Sequence, residues 1–133
     1  MVPSLAHAAG GDEVLQFSTP SKNIGCVYAR SAAQGGAGGF SELRCDIRSG
    51  LRPKPVKPAG CDLDWGDSFA MRKTGAVSVV CHGDTALGSP HVLPYGTTWR
   101  HDGFTCVSQL AGLTCTNLSH RGFFLSRQRS RAF

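Results

Sequence analysis

Nowhere in the 133 residues does an apolar run approach the roughly 18 residues of a membrane-spanning helix. Helical patterning is absent too. No segment beyond about ten residues repeats its apolar side chains at the helical period, which removes helical bundles from the reading. Aromatic residues are 8% and charged residues 17% of the chain, the latter below the usual one in about four. The core is therefore expected to be modest. There is no C-x-x-C, although zinc ligands commonly come in such close pairs. There is no G-x-S-x-G elbow of a serine hydrolase. "GGAGG" is not followed by Lys-Ser or Lys-Thr, so it is an exposed loop and not a phosphate cradle. No metal and no cofactor is expected.

What the chain has instead is glycine, 17 residues, and an even set of six cysteines. In an exported protein such a set reads as a disulfide framework. The N-terminus "MVPSLAHAAGGDE" reaches Ala6-His7-Ala8, an A-x-A-like site, before its first charges at Asp12 and Glu13. It reads as the tail of a secretory signal whose positive region is lacking, so the start is expected to be truncated or to lie within a longer signal. The alternative is a disordered N-terminus. Residues 1–13 are assigned to that tail and 14–133 to a single domain.

Several stretches alternate with period two. In "FSELRCDIR" (40–48), Leu43, Cys45 and Ile47 fall on one face, and Phe40, Glu42, Arg44 and Asp46 on the other. "NIGCVYA", "SFAMR", "AVSVVC", "GTTWR", "FTCVS", "GLTCTN" and "GFFLSRQRS" are further strands, separated by turn residues. Asp102-Gly103 predicts a tight hairpin between "GTTWR" and "FTCVS". "SAAQGGAGG" (31–39) is a flexible loop, and "SGLRPKPVKPAG" (49–60) an extended connector. "DLDWG" places Asp62 and Asp64 on one strand face. The class is all-β: a small disulfide-stapled antiparallel barrel or sandwich built from hairpins.

A weak internal echo runs through these strands. "NIGCVYA…FSELRCDI" and "GFTCVSQ…GLTCTN" each place a Cys on both sides of a Gly-containing loop. Opposed cysteines on antiparallel strands come within bridging reach. The pairing expected, from the fifteen possible, is Cys26–Cys45, Cys61–Cys81 and Cys106–Cys115.

Two groups of residues are candidates for function. "RGFFLSRQRSRAF" holds Arg121, Arg127, Arg129 and Arg131 and no acid. If the strand runs on, Arg127, Arg129 and Arg131 share a face and could clamp phosphates or carboxylates. The bland alternative is a solvated tail, or arginines guarding an edge strand. Nucleic acid is disfavoured, because aromatics do not interleave with the arginines. The second group is His82 and His120 with Asp64 or Asp84, which could do acid–base chemistry in a small hydrolase or nuclease. Against it, Asp-Trp-Gly and Gly-Asp-Thr read well as turn fixtures. Asn117-Leu118-Ser119 is a glycosylation sequon, relevant only in a secretory host.

Taken in order, "TPSKNIGC" (19–26), "LRCDI" (43–47), "CDLDWG" (61–66), "CHGDTALG" (81–88), "LPYG" (93–96), "GFTCVS" (103–108), "GLTCTN" (112–117) and "GFFLSR" (122–127) resemble an uncharacterised family of small exported actinobacterial proteins, a domain of unknown function. The resemblance covers roughly residues 16–133 and all six cysteines. The family pattern has Gly where this chain has Lys22, and a Gly-His-Gly-Phe run where this chain reads Ser119-His120-Arg121-Gly122-Phe123. The resemblance implies export and a cysteine-stapled domain, and carries no activity. The resulting expectation is a secreted or cell-envelope binding module recognising a protein or an anionic envelope polymer, through the four arginines and the 31–39 loop. Acid–base hydrolysis is the alternative.

Overall fold

Alternation decides the architecture. In β3 (Phe40–Ile47), Leu43, Cys45 and Ile47 are fully buried, as their spacing predicts. The structure, a computed structural model, describes residues 11–32 and 39–133. The first meander comprises β1 (Glu13–Ser18), β2 (Ile24–Ser31), β3, β4 (Ser68–Arg72) and β5 (Ser78–Val79). The second comprises β6 (Thr98–His101), β7 (Phe104–Gln109), β8 (Gly112–Thr116), β9 (Gly122–Leu125) and β10 (Ser130–Ala132). Each forms a five-stranded antiparallel sheet in sequence order, and the two pack face to face. The sheets do not close into a barrel; the molecule is a sandwich.

All six cysteines are paired as expected: Cys26–Cys45, Cys61–Cys81 and Cys106–Cys115. The first and third pairs sit directly opposite on β2–β3 and on β7–β8. Their Cα atoms are 4.1 Å apart in both cases. Side chains approach closest at such non-hydrogen-bonded positions.

The internal echo extends further than the cysteines. Across the first sheet one row reads Phe17, Cys26, Cys45, Phe69. Across the second the matching row reads Trp99, Cys106, Cys115, Phe123. The rows face each other, with ring centroids 5.2 Å apart for Phe17–Trp99 and 5.7 Å for Phe69–Phe123. Each sheet thus contributes an aromatic–disulfide–aromatic ladder to one core. Burying large rings at the ends of each row compensates for the scarcity of aromatics elsewhere.

Four expectations need correction. "GFFLSRQRS" is not one strand: β9 ends at Leu125, and Ser126–Arg129 is a turn, closed where Ser126 N–H donates to Arg129 O and Ser126 Oγ accepts from Arg129 N–H. The run from Ser126 to Gln128 is short and polar, and Ser126 serves as its own turn fixture. "DLDWG" is not a strand, so Asp62 and Asp64 share no strand face; only Asp64 makes a bridge, to His82. "AVSVVC" shortens to the two residues of β5. β1 starts at Glu13, whose carboxylate meets His101 Nε2 at 2.8 Å, so the folded body begins one residue before position 14. Most of the 31–39 loop, residues 33–38, lies outside the described residues; Ser31 is the last residue of β2.

Candidate functional site

The outer face of the first sheet carries an ion network. Arg44 and Asp46 point away from the core, as the period-two pattern requires. A strap of chain after β5 then covers them. Ala86 O and Leu87 Cα lie 2.5 and 2.8 Å from where a Cβ on Gly25 would stand, so only glycine lets the strap cross β2. Beneath it, the Arg44 guanidinium grips Asp46 through two 2.9 Å bonds and reaches Asp84 at 3.0 Å. The Ala86 N–H adds a 2.8 Å bond to Asp46. Burial alone would raise the Asp46 pKa, but these donors outweigh it and the pKa is lowered.

His82 lies at the same end, with its side chain buried. Nε2 faces Asp67 Oδ1 at 2.7 Å and Nδ1 faces the Asp84 carbonyl at 2.5 Å. Both partners are acceptors, so the ring satisfies them only as a doubly protonated imidazolium. Burial opposes that charge, the hydrogen bonds outweigh it, and the pKa is raised. Ligand atoms of Asp46, Asp67 and His82 lie within 4.8 Å of one another, a spacing a metal could use. Each of those groups already has partners of its own, with Arg44 as the resident cation on Asp46.

Of the four acid–base candidates the structure gathers three. His82, Asp84 and Asp64 meet, Asp64 through paired backbone bonds to His82. His120 does not join them. It sits at positive φ in the β8–β9 turn, which docks on Lys73 just past the far end of β4, while Asp67 immediately precedes β4. The strand rise of about 3.3 Å per residue puts those ends about 20 Å apart. Asp67, the partner His82 actually uses, is fifteen residues away in sequence and carried no pattern that marks it.

The arginines divide among three places. Arg121 is exposed, its Nε donating to Phe133 O at 3.2 Å. Arg129 and Arg131 lie on either side of buried Ser130, stacked 5.0 Å from the rings of Phe124 and Phe133. Arg127 stands apart, in the β9–β10 turn. Sequence reading missed their neighbour. The proline-rich loop runs beside β10, where Ser130 N–H donates to Arg52 O at 2.7 Å and Arg52 N–H donates to Ser130 Oγ at 2.6 Å. Lys54, two residues on, lies 4.5 Å over the Trp65 ring.

Arg127 also lines a cavity of about 230 Å³ between the β1–β2, β7–β8 and β9–β10 turns. Thr19, Ser21, Tyr95, Gln109 and Gln128 are among its walls. The opposite end of the sandwich carries a polar cluster of its own. There Asp102 accepts from Tyr28 Oη at 2.5 Å, Ser41 Oγ at 2.7 Å and Lys73 Nζ at 3.0 Å. Burial alone would raise its carboxyl, but the three donors hold it down at about 2; burial, seconded by the bond to Asp102, pushes Tyr28 up to about 12.

No helix among the described residues is long and apolar enough to cross a membrane. No curated protein and no solved structure matches the chain. One family model does, over residues 1–133, and the chain accordingly belongs to DUF6636, a family of unknown function.

Proposed function

We propose that the protein is an exported binding module that holds an anionic polymer of the cell envelope against the flank formed by the proline-rich loop and the C-terminal hairpin. The observation that carries this reading is the contact between Arg52 and Ser130. It joins two basic segments that neither composition nor spacing connects. Residues 48–60 hold Arg48, Arg52, Lys54 and Lys57; residues 118–133 hold Arg121, Arg127, Arg129 and Arg131. Neither segment contains an acid, and together they hold eight of the fourteen Lys and Arg. Arg52, Arg129 and Arg131 come together where the two segments touch, and such a concentration of one sign attracts a polyanion and raises its local concentration. Export is supported by the complete pairing of the cysteines, since such frameworks persist in oxidising compartments. The acid–base alternative draws less support, because His82 is held as a hydrogen-bonded cation between two acceptors and His120 lies at the other end of β4.

The test uses an immobilised polyuronate with neutral dextran as control. Wild type should be retained on the polyuronate alone. The Arg52→Gln/Arg129→Gln/Arg131→Gln variant should elute at least about tenfold more easily at low salt, the cost of losing several exposed charge pairs at once. Equal retention of the two proteins would remove the flank from the account.

A further inference from the structure

The two halves of the molecule are built alike, and their differences are informative. In each half one residue of the turn between the first and second strand stands four positions before the Cys of the second strand. These are Lys22 and Asp102. Both have positive φ, 63° and 48°, in turns of different length. In each half one cation stands four positions after the Phe of the fourth strand. These are Lys73 and Arg127. At one end of the sandwich Asp102 and Lys73 meet across the sheets at 3.0 Å, an internal carboxylate on an internal cation. At the other end the matching positions carry Lys22 and Arg127, two cations. Among the described residues no carboxylate pairs with either; Arg127 lines the cavity at that end, Lys22 is exposed outside its walls, and no acid lines it.

We propose that this cavity binds the carboxylate of a sugar acid, with Arg127 standing to it as Lys73 stands to Asp102. A carboxylate suits the site better than a phosphate because the counterpart end holds a carboxylate of single charge. A sugar ring suits the remaining walls. Thr19, Ser21, Gln109 and Gln128 offer neutral hydroxyl and amide groups for ring hydroxyls, and Tyr95, 41% exposed, offers a flat aromatic face. A cavity of about 230 Å³ is below the range of drug-sized pockets and suits one monosaccharide unit. The proposal deepens the binding-module reading and rests on it: one unit of the acidic polymer seats here while its neighbours run along the basic flank.

The test is an NMR titration of the folded protein with D-glucuronate, against D-glucose, D-glucose 6-phosphate and N-acetyl-alanine. Glucuronate should shift the amides of Ser21, Gln109 and Gln128 saturably at millimolar concentration, the weak affinity of about −4 kcal/mol expected of one small unit. Glucose should shift nothing, and the phosphate and the simple carboxylate should bind at least about fivefold more weakly. Arg127→Gln, an exposed change in a turn, should weaken glucuronate at least about tenfold, as loss of a charge-assisted pair does. Saturation by glucose, no shift with glucuronate, equal binding of the phosphate or of N-acetyl-alanine, or an Arg127→Gln protein that binds as wild type would each overturn the proposal. The Arg52→Gln/Arg129→Gln/Arg131→Gln variant separates the two readings: it should lose the polymer and keep glucuronate.

Discussion

Asn117 begins the sequon Asn-Leu-Ser, and the fold uses its amide for something else. Nδ2 donates to the carbonyls of Arg72 and Gly75, at 3.0 and 2.9 Å. Oδ1 accepts from the N–H groups of Ser119 and Arg121, at 2.9 and 3.2 Å. With both donors and both acceptor sites engaged and the residue buried, the folded side chain offers nothing to a glycan. It ties the β8–β9 turn of one sheet to the β4–β5 turn of the other. Asn117→Ala should therefore cost about 1–2 kcal/mol in urea unfolding, since it removes the hydrogen bonds that tie the two turns together. A loss under about 0.5 kcal/mol, the scale of an ordinary surface change, would contradict the clamp. The ionisable residues give predictions of opposite sign in pH. The His82 pKa is raised, so its contribution is complete below its unfolded value of 6.5 and fades as pH climbs through the raised folded value. The gap in melting temperature between wild type and His82→Gln should accordingly shrink from about pH 5 to about pH 9. Asp102 is depressed to about 2, so its contribution holds above the usual carboxyl range and disappears as pH falls through about 2. Asp102→Asn should lower the melting temperature at neutral pH and flatten the acid limb of the stability curve.

At the scale of elements, patterning reveals what is local. Leu43, Cys45 and Ile47 face inward because alternate residues must, and Asp102-Gly103 turns because few other pairs do so at the same cost. The cysteine echo even marks which strands correspond, β2–β3 with β7–β8. What local patterning leaves hidden is which loop lies on which strand. The bond from Arg52 to Ser130 spans 78 positions, and that from Asp67 to His82 joins a residue before β4 to one after β5. Neither follows from spacing, so the basic flank and the His82 pair are visible only in three dimensions. The arginine face fails for a nearer reason: Ser126 caps its own turn, so the chain reverses through Arg127 and Gln128 and Arg127 leaves the strand that carries Arg131. The strap over β2 is the element most sensitive to a single atom. Gly25→Ala should force Ala86 and Leu87 away, cost about 1–3 kcal/mol as overpacked sites do, and speed amide exchange at Ala86. Unchanged exchange there would mean that the strap does not press on β2.

For the whole molecule, the disulfides and the charge set the behaviour. Cys26, Cys45, Cys106 and Cys115 are completely buried, whereas Cys81 is exposed. Mild reduction of the native protein should therefore open Cys61–Cys81 first, and mass spectrometry after alkylation should find label on Cys61 and Cys81 alone. Even labelling of all six would mean that the sheets open as easily as the strap. The same sandwich core, spanned by two facing aromatic–disulfide rows, holds the turns at both ends in fixed relation, and so holds the basic flank beside the Arg127 cavity. The claim that this flank is the working surface is tested most directly by one measurement: the dissociation constant for a soluble polyuronate from about 50 to about 500 mM salt, a range over which screening of exposed charges grows severalfold. Wild type should weaken steeply with salt, and the Arg52→Gln/Arg129→Gln/Arg131→Gln protein should start weaker and follow a flatter line, because fewer counterions are released when fewer cations are neutralised. An affinity that stays constant across that range, or that is the same for both proteins, would contradict it.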